Sequence, residues 1–191
     1  MFIISFHRLL HIIFCINNII LVVLCLNIRN IAQGSLLVCL SVILQLLPTT
    51  FGEVFIFVTI FSAIPIYILS RLSPKIGLIA YIAADVLIII FNIHEGLFFV
   101  FTNGLVGLLL GAFSYVLNSK ILISLFSGVV LTLSLSTVNF IVGIPVLGIN
   151  LPGNLLSQIG ALIVFSILYC FIYLLLANFI YNYLKRRYPF N

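Results

Sequence analysis

Residues 76–91 read IGLIAYIAADVLIIIF, a run in which Asp85 is the single charge. Lys75 stands immediately before it, and Asn92, His94 and Glu95 follow. A buried strand needs only ~4–8 apolar residues, whereas a transmembrane helix needs roughly 17–25. The length and the polar brackets at both ends therefore point to a helix that crosses a bilayer. The same punctuation recurs on either side of it. Residues 31–47 are preceded by Arg29 and closed by Pro48, and residues 54–69 end at Arg71. Residues 96–117 end at Asn118, Ser119 and Lys120, residues 121–142 lead into a loop at 143–153, and residues 154–184 close with Lys185, Arg186 and Arg187. Six spans follow, in an all-α, polytopic membrane helical bundle.

The composition agrees. Of 191 residues, 64% are hydrophobic and 6% charged, against ~45–50% and ~25% in soluble domains. Too little polar surface exists to face water, but a bilayer accepts an apolar exterior. The net charge of +5 is no nucleic-acid signature, because the basic residues stand mostly singly at the ends of apolar runs, where topology signals lie. If Arg29 is cytoplasmic, then Arg71, Lys75, Lys120, Lys185, Arg186 and Arg187 fall on the same side, seven of the eight basic residues. Glu53, Glu95 and the 143–153 loop fall opposite. The expectation is a multi-pass protein of the plasma membrane with a cytoplasmic C-terminus.

Residues 28–187 form the six-helix domain, and 188–191 a short cytoplasmic tail. Residues 1–27 carry His7, Arg8 and His11 before an apolar stretch broken by Asn17 and Asn18. This segment reads as an extra hydrophobic helix. An interfacial helix, a signal peptide and an upstream start of translation are the alternatives. Cys15, Cys25, Cys39 and Cys170 show no metal or redox spacing and read as small apolar residues inside the spans.

Chemistry-bearing motifs are scarce. The chain holds no nucleotide-binding G-x-x-x-x-G-K-[ST], no H-E-x-x-H and no G-x-S-x-G, which removes the usual routes to ATP binding, zinc hydrolysis and serine catalysis. Three acids and three histidines, on different helices or faces, make neither a carboxylate pair nor a metal cluster. The expectation is a non-enzyme with no metal and no cofactor.

The informative polar residues lie toward the side opposite the basic ends. Thr102 and Asn103 stand about two turns into the fourth span, and Asn139 lies near the end of the fifth. Asn150, Asn154 and Gln158 fall in the last loop and the start of the sixth. Asn154 and Gln158 share a helix face, as do Thr132, Ser136 and Asn139. Inside a bilayer such stripes face protein or water. Two readings stand: hydrogen bonding between helices, or a pocket for a small solute built from Asn103, Asn139, Asn154, Gln158, Glu95 and Asp85. Asp85, deep in its span, reads either as a solute or ion contact or as an interhelical hydrogen bond. Gly104, Gly107 and Gly111, with Ala80 and Ala84, mark places where helices approach closely.

Three stretches carry a resemblance: IRNIAQGSLLVCLSVILQLLP (28–48), FSAIPIYILSRLSPKIGLIAYIAADVL (61–87) and GLVGLLLGAF (104–113). With a basic start and proline end, a proline inside a helix before a short turn, and a glycine-rich helix, residues 28–185 resemble the substrate-binding S components of energy-coupling-factor vitamin transporters, and a family of small membrane proteins with the same fold. The resemblance implies a six-helix fold that takes a small solute from outside, a membrane T component, and two cytoplasmic ATPases that energise uptake. The first helix offers Ala32, Gly34 and Ser35 where the family uses alanine-rich positions to meet the T component. The same fold also admits a second expectation, a non-transporting assembly or developmental factor.

Overall fold

The computed structural model describes residues 28–139 and 155–187, without the side chains of 28–31, 53, 155–157 and 187. The expected N-terminal helix, the 143–153 loop with Asn150, Asn154 and the C-terminal tail lie outside the described residues. Contacts divide the chain after Leu36, and the bundle is the part from Leu37 onward. Its elements are helix α1 (Ile28–Phe51), a 3-10 helix (Glu53–Ser62), α2 (Ala63–Leu72), α3 (Pro74–Phe91), α4 (Ile93–Phe101), α5 (Asn103–Val116), α6 (Lys120–Thr137) and α7 (Leu155–Arg187). They compose six segments long and apolar enough to cross a membrane, from Ala32–Phe51 to Gln158–Arg186. The chain is thus a multi-pass helical membrane protein, and no strand occurs among the described residues.

The turns between the first five spans are one to three residues long, so the spans they join run antiparallel. Arg71, Lys75, Lys120, Lys185 and Arg186 gather at one end of the bundle, called here the basic end. Gly52 and Asn92 mark the opposite end. Gly52 turns the chain at φ 95°, a conformation that costs glycine nothing and a residue with Cβ a good deal. Pro74 opens α3, where a missing N–H is harmless. Asn92 caps α4 by accepting from the backbone N–H groups of His94 and Glu95 at 3.0 and 3.3 Å, which satisfies donors that a helix start leaves free.

α2 is the centre. Ala63 through Ser70 are all buried, and the glycine face of α5 lies directly against them. A Cβ on Gly107 would stand 2.4 Å from Ala63 O, and one on Gly111 would stand 2.7 Å from Tyr67 O. Gly77 of α3 meets Ser70 as closely, at 2.4 Å from its Cα. The small residues singled out in α3 and α5 thus serve packing within this chain. Large apolar side chains such as Phe57, Ile90, Val116 and Phe179 are exposed, as a lipid-facing exterior requires.

Three elements differ from the sequence reading. The first helix does not stop at Pro48 but runs on to Phe51. The hydroxyls of Thr49 and Thr50 turn back to donate to Leu46 O and Leu47 O at 2.7 and 3.0 Å, keeping the polar groups of its last turn occupied where water is scarce. The second span begins as a 3-10 helix and becomes α-helical at Ala63, two residues before Pro65. A proline in a first helical turn breaks no hydrogen bond, so the change of winding falls where proline tolerates it. The fourth span is not continuous. It breaks at Thr102, whose φ and ψ are −125° and −92°, and resumes at Asn103.

Candidate functional site

The two irregular segments lie at the same end of the bundle, and a polar network joins them. Its hub is Gln45 of α1, 1% exposed. The Gln45 Nε2 donates to Glu95 Oε2 at 2.8 Å. The Gln45 Oε1 accepts from Ser62 Oγ at 2.9 Å and from Asn103 Nδ2 at 3.2 Å. Asn103 Nδ2 also donates to Thr59 O at 3.1 Å, and Ser41 Oγ donates to Ser62 O at 2.7 Å. Side chains from α1, α4 and α5 therefore meet the 3-10 helix in one cluster.

Irregular backbone in a membrane leaves carbonyls that intrahelical bonds do not fully serve. Here other helices serve them. Tyr81 Oη of α3 donates to Val100 O at 3.0 Å, and Ser134 Oγ of α6 donates to Phe101 O at 2.7 Å. The hydroxyl of Thr102 itself turns back to Phe98 O. Along the 3-10 helix, Thr59 O and Ser62 O receive Asn103 and Ser41, and Ile60 O receives Tyr173 Oη of α7 at 3.0 Å.

Two acceptors of the cluster remain. Both polar atoms of Gln45 are hydrogen-bonded, but among the described residues neither Glu95 Oε1 nor Asn103 Oδ1 accepts a hydrogen bond, and both residues are only half-buried. They belong to the two residues that hydrogen-bond the Gln45 amide, Glu95 at its nitrogen and Asn103 at its oxygen. A carboxylate oxygen and an amide oxygen in that position suit a small molecule that offers N–H or O–H donors.

Of the residues picked from sequence, Asn103 and Glu95 are brought together through Gln45. Asn139 stands half-buried just beyond α6, and Gln158 half-buried in the first turns of α7. Asn154 is outside the described residues. Asp85 is not in the cluster: its Oδ1 is buried and has no hydrogen-bond partner among the described residues. The serines and threonines flagged on α6 divide. Thr132 Oγ1 donates to Gly128 O within its own helix at 2.8 Å, whereas Ser134, not flagged, reaches the break in the fourth span. Among the described residues no three His, Cys, Asp or Glu side chains gather as metal ligands. Cys170 is buried and Cys39 exposed, both as free thiols.

Sequence reasoning missed Gln45, Ser41, Thr59 and Ser62. Gln45 had a signal, being an amide deep inside the span at 31–47, twelve residues after the other one, Gln33. It also missed a second polar group at the basic end. There Arg71 donates to Tyr67 Oη at 2.6 Å and to Asn178 Oδ1, with its guanidinium 4.2 Å from the centre of the Tyr181 ring. Tyr67 Oη in turn donates to Asn178 Oδ1 at 3.0 Å. A guanidinium laid on an aromatic face and held by neutral oxygens locks the end of α2 to α7.

No protein-family model, curated protein or solved structure matches this chain.

Proposed function

We propose that the chain is the substrate-binding membrane subunit of an uptake system for a small solute, a vitamin or similar micronutrient. It captures the solute at the Gln45–Glu95–Asn103 cluster. The reading places this end outside the plasma membrane and the C-terminus in the cytoplasm, and it assigns energising to a partner membrane subunit with cytoplasmic ATPases. The observation that carries it is the pair of acceptors that receive no donor among the described residues, Glu95 Oε1 and Asn103 Oδ1, beside a hub whose oxygen and nitrogen are both hydrogen-bonded. A broken helix and a 3-10 helix at membrane depth add support, because irregular backbone there is tolerated where it lines a cavity or is buried in protein. In this mechanism the chain performs no covalent step. It binds, and its reorientation in the bilayer releases the solute.

A non-transporting assembly factor of the same fold is the second reading. The doubly occupied oxygen of Gln45 favours it, since a hub that binds Ser62, Glu95 and Asn103 together serves helix packing equally well.

The test is purification in mild detergent followed by native mass spectrometry for a co-purified small molecule, and a solute-binding screen. The expected result is one bound species that Asn103→Leu and Glu95→Gln each weaken at least tenfold while the detergent-melting temperature stays within a few degrees. A protein that carries no small molecule, and whose screen gives no ligand sensitive to either change, overturns the transport reading in favour of the assembly factor.

A further inference from the structure

Asp85 has no place in the cluster, and its surroundings explain no other use inside the bundle. α3 turns Gly77, Ala80, Ala84 and Ile88 inward. Positions 78, 82, 85 and 89 follow one another by four, three and four residues, the spacing that keeps side chains on one seam of a helix. Leu78, Ile82 and Ile89 on that seam are 48%, 52% and 38% exposed, and Asp85 lies among them, half-buried. Asp85 Oδ1 is buried and has no hydrogen-bond partner among the described residues. The hydroxyl one turn back in sequence, Tyr81 Oη, donates to Val100 O. Asp85 is eleven residues beyond Pro74, roughly 16 Å along a helix of about 27 Å, too deep for so short a side chain to reach a headgroup layer.

An ionisable group at such depth pairs with something. Nothing in this chain's described spans offers a match, because their Lys and Arg residues all stand at the ends: Arg71, Lys75, Lys120, Lys185 and Arg186. A second copy brings another Asp85 and no mid-span base. We propose that the seam Leu78–Ile82–Asp85–Ile89 docks a transmembrane helix of a different membrane protein, and that this helix presents a Lys or Arg at the depth of Asp85. The apolar seam residues fix the register and the carboxylate selects the partner. The surface stands independently of the solute reading, since a complex forms here whether or not the Gln45 cluster binds a ligand.

The experiment places a photo-activated cross-linking amino acid at Ile82, at Ile89 and, as a control on another face, at Ile90 of the full chain in its native membrane. The captured peptides are then mapped. Ile82 and Ile89 are expected to capture one other membrane protein through a helix with a Lys or Arg within one turn of the captured position, at least tenfold above Ile90. Asp85→Leu is expected to cut that yield at least tenfold, and so is replacement of the mapped basic residue by Leu. Asp85→Asn, which keeps the shape and protects against a folding artefact, is expected to cut it at least threefold. Lipid adducts alone, a self-dimer, capture of this chain's own residues 1–27, a partner helix without a basic residue, or an undiminished yield in Asp85→Leu each overturn the proposal.

Discussion

Gly107 shows how much a single position decides. Its Cα faces Ala63 O so closely that a Cβ would lie 2.4 Å from that oxygen and 3.2 Å from Ile66 Cβ. The obstacle is backbone and cannot swing aside, so Gly107→Val should destabilise the bundle by about 1–3 kcal/mol, the usual cost of overpacking. Gly160 is the control, because nothing lies within 4 Å of the Cβ it would gain. Gly160→Ala should be neutral or stabilising by up to ~1 kcal/mol, since alanine is the better helix former. Denaturation of the two variants in one detergent checks both signs. Gln45 is the polar counterpart. Gln45→Leu removes the partner of Glu95 and the shared acceptor of Ser62 and Asn103, so it should cost about 1–3 kcal/mol for polar groups left unpaired. The close-packing role of Gly107 was legible in the sequence from its spacing with Gly111, and Asn103 and Glu95 stood out as polar residues in apolar runs. Gln45 did not stand out as a hub, because its three polar contacts come from segments 17 to 58 residues away, and only the fold brings them to it.

The spans themselves were legible because each is an apolar run with charges or prolines at its ends. Their internal irregularities were not. A 3-10 stretch and an α-helix bury the same kinds of side chain, and EVFIFVTIFS (53–62) carries no period that separates them. The break at Thr102 is likewise invisible locally. What sustains it is supplied from elsewhere, by Tyr81 of α3 and Ser134 of α6 donating to Val100 O and Phe101 O. That dependence is testable. Tyr81→Phe and Ser134→Ala each delete one hydroxyl and leave one carbonyl under-served, and each should cost about 1 kcal/mol. Both act on neighbouring carbonyls of one turn, so the double variant should depart from additivity. Amide hydrogen exchange should speed at residues 102–106 and stay unchanged in the basic half of α3. Exchange that is unaltered in the double variant would show that the broken span holds its shape without them.

At the scale of the molecule the distribution of charge is the main constraint. Arg71, Lys75, Lys120, Lys185 and Arg186 stand at one end, while Glu95 and the polar cluster stand at the other. Positive residues beside spans resist translocation, and with this bias every short loop votes the same way. The orientation proposed on that rule has the basic end in the cytoplasm and the Gln45 cluster facing out, and it is the orientation that uptake needs. It can be read directly. In a background with Cys15, Cys25, Cys39 and Cys170 replaced by serine or alanine, single cysteines at Ser73 and Ser119 report the basic end, and one at Asn92 or Gly52 reports the other. A membrane-impermeant maleimide added to intact cells should label the Asn92 and Gly52 variants and spare Ser73 and Ser119, which should react only after the membrane is opened. Gly52→Cys also forces a side chain into the φ 95° turn, so Asn92→Cys is the cleaner reporter even though it loses the cap of α4. The reversed pattern would place the Gln45 cluster on the cytoplasmic side, where the acceptors of Glu95 and Asn103 would serve export or packing and not capture from outside. Equal labelling of both ends would mean that the chain inserts in two orientations, which a bias of this size in the positive charges forbids.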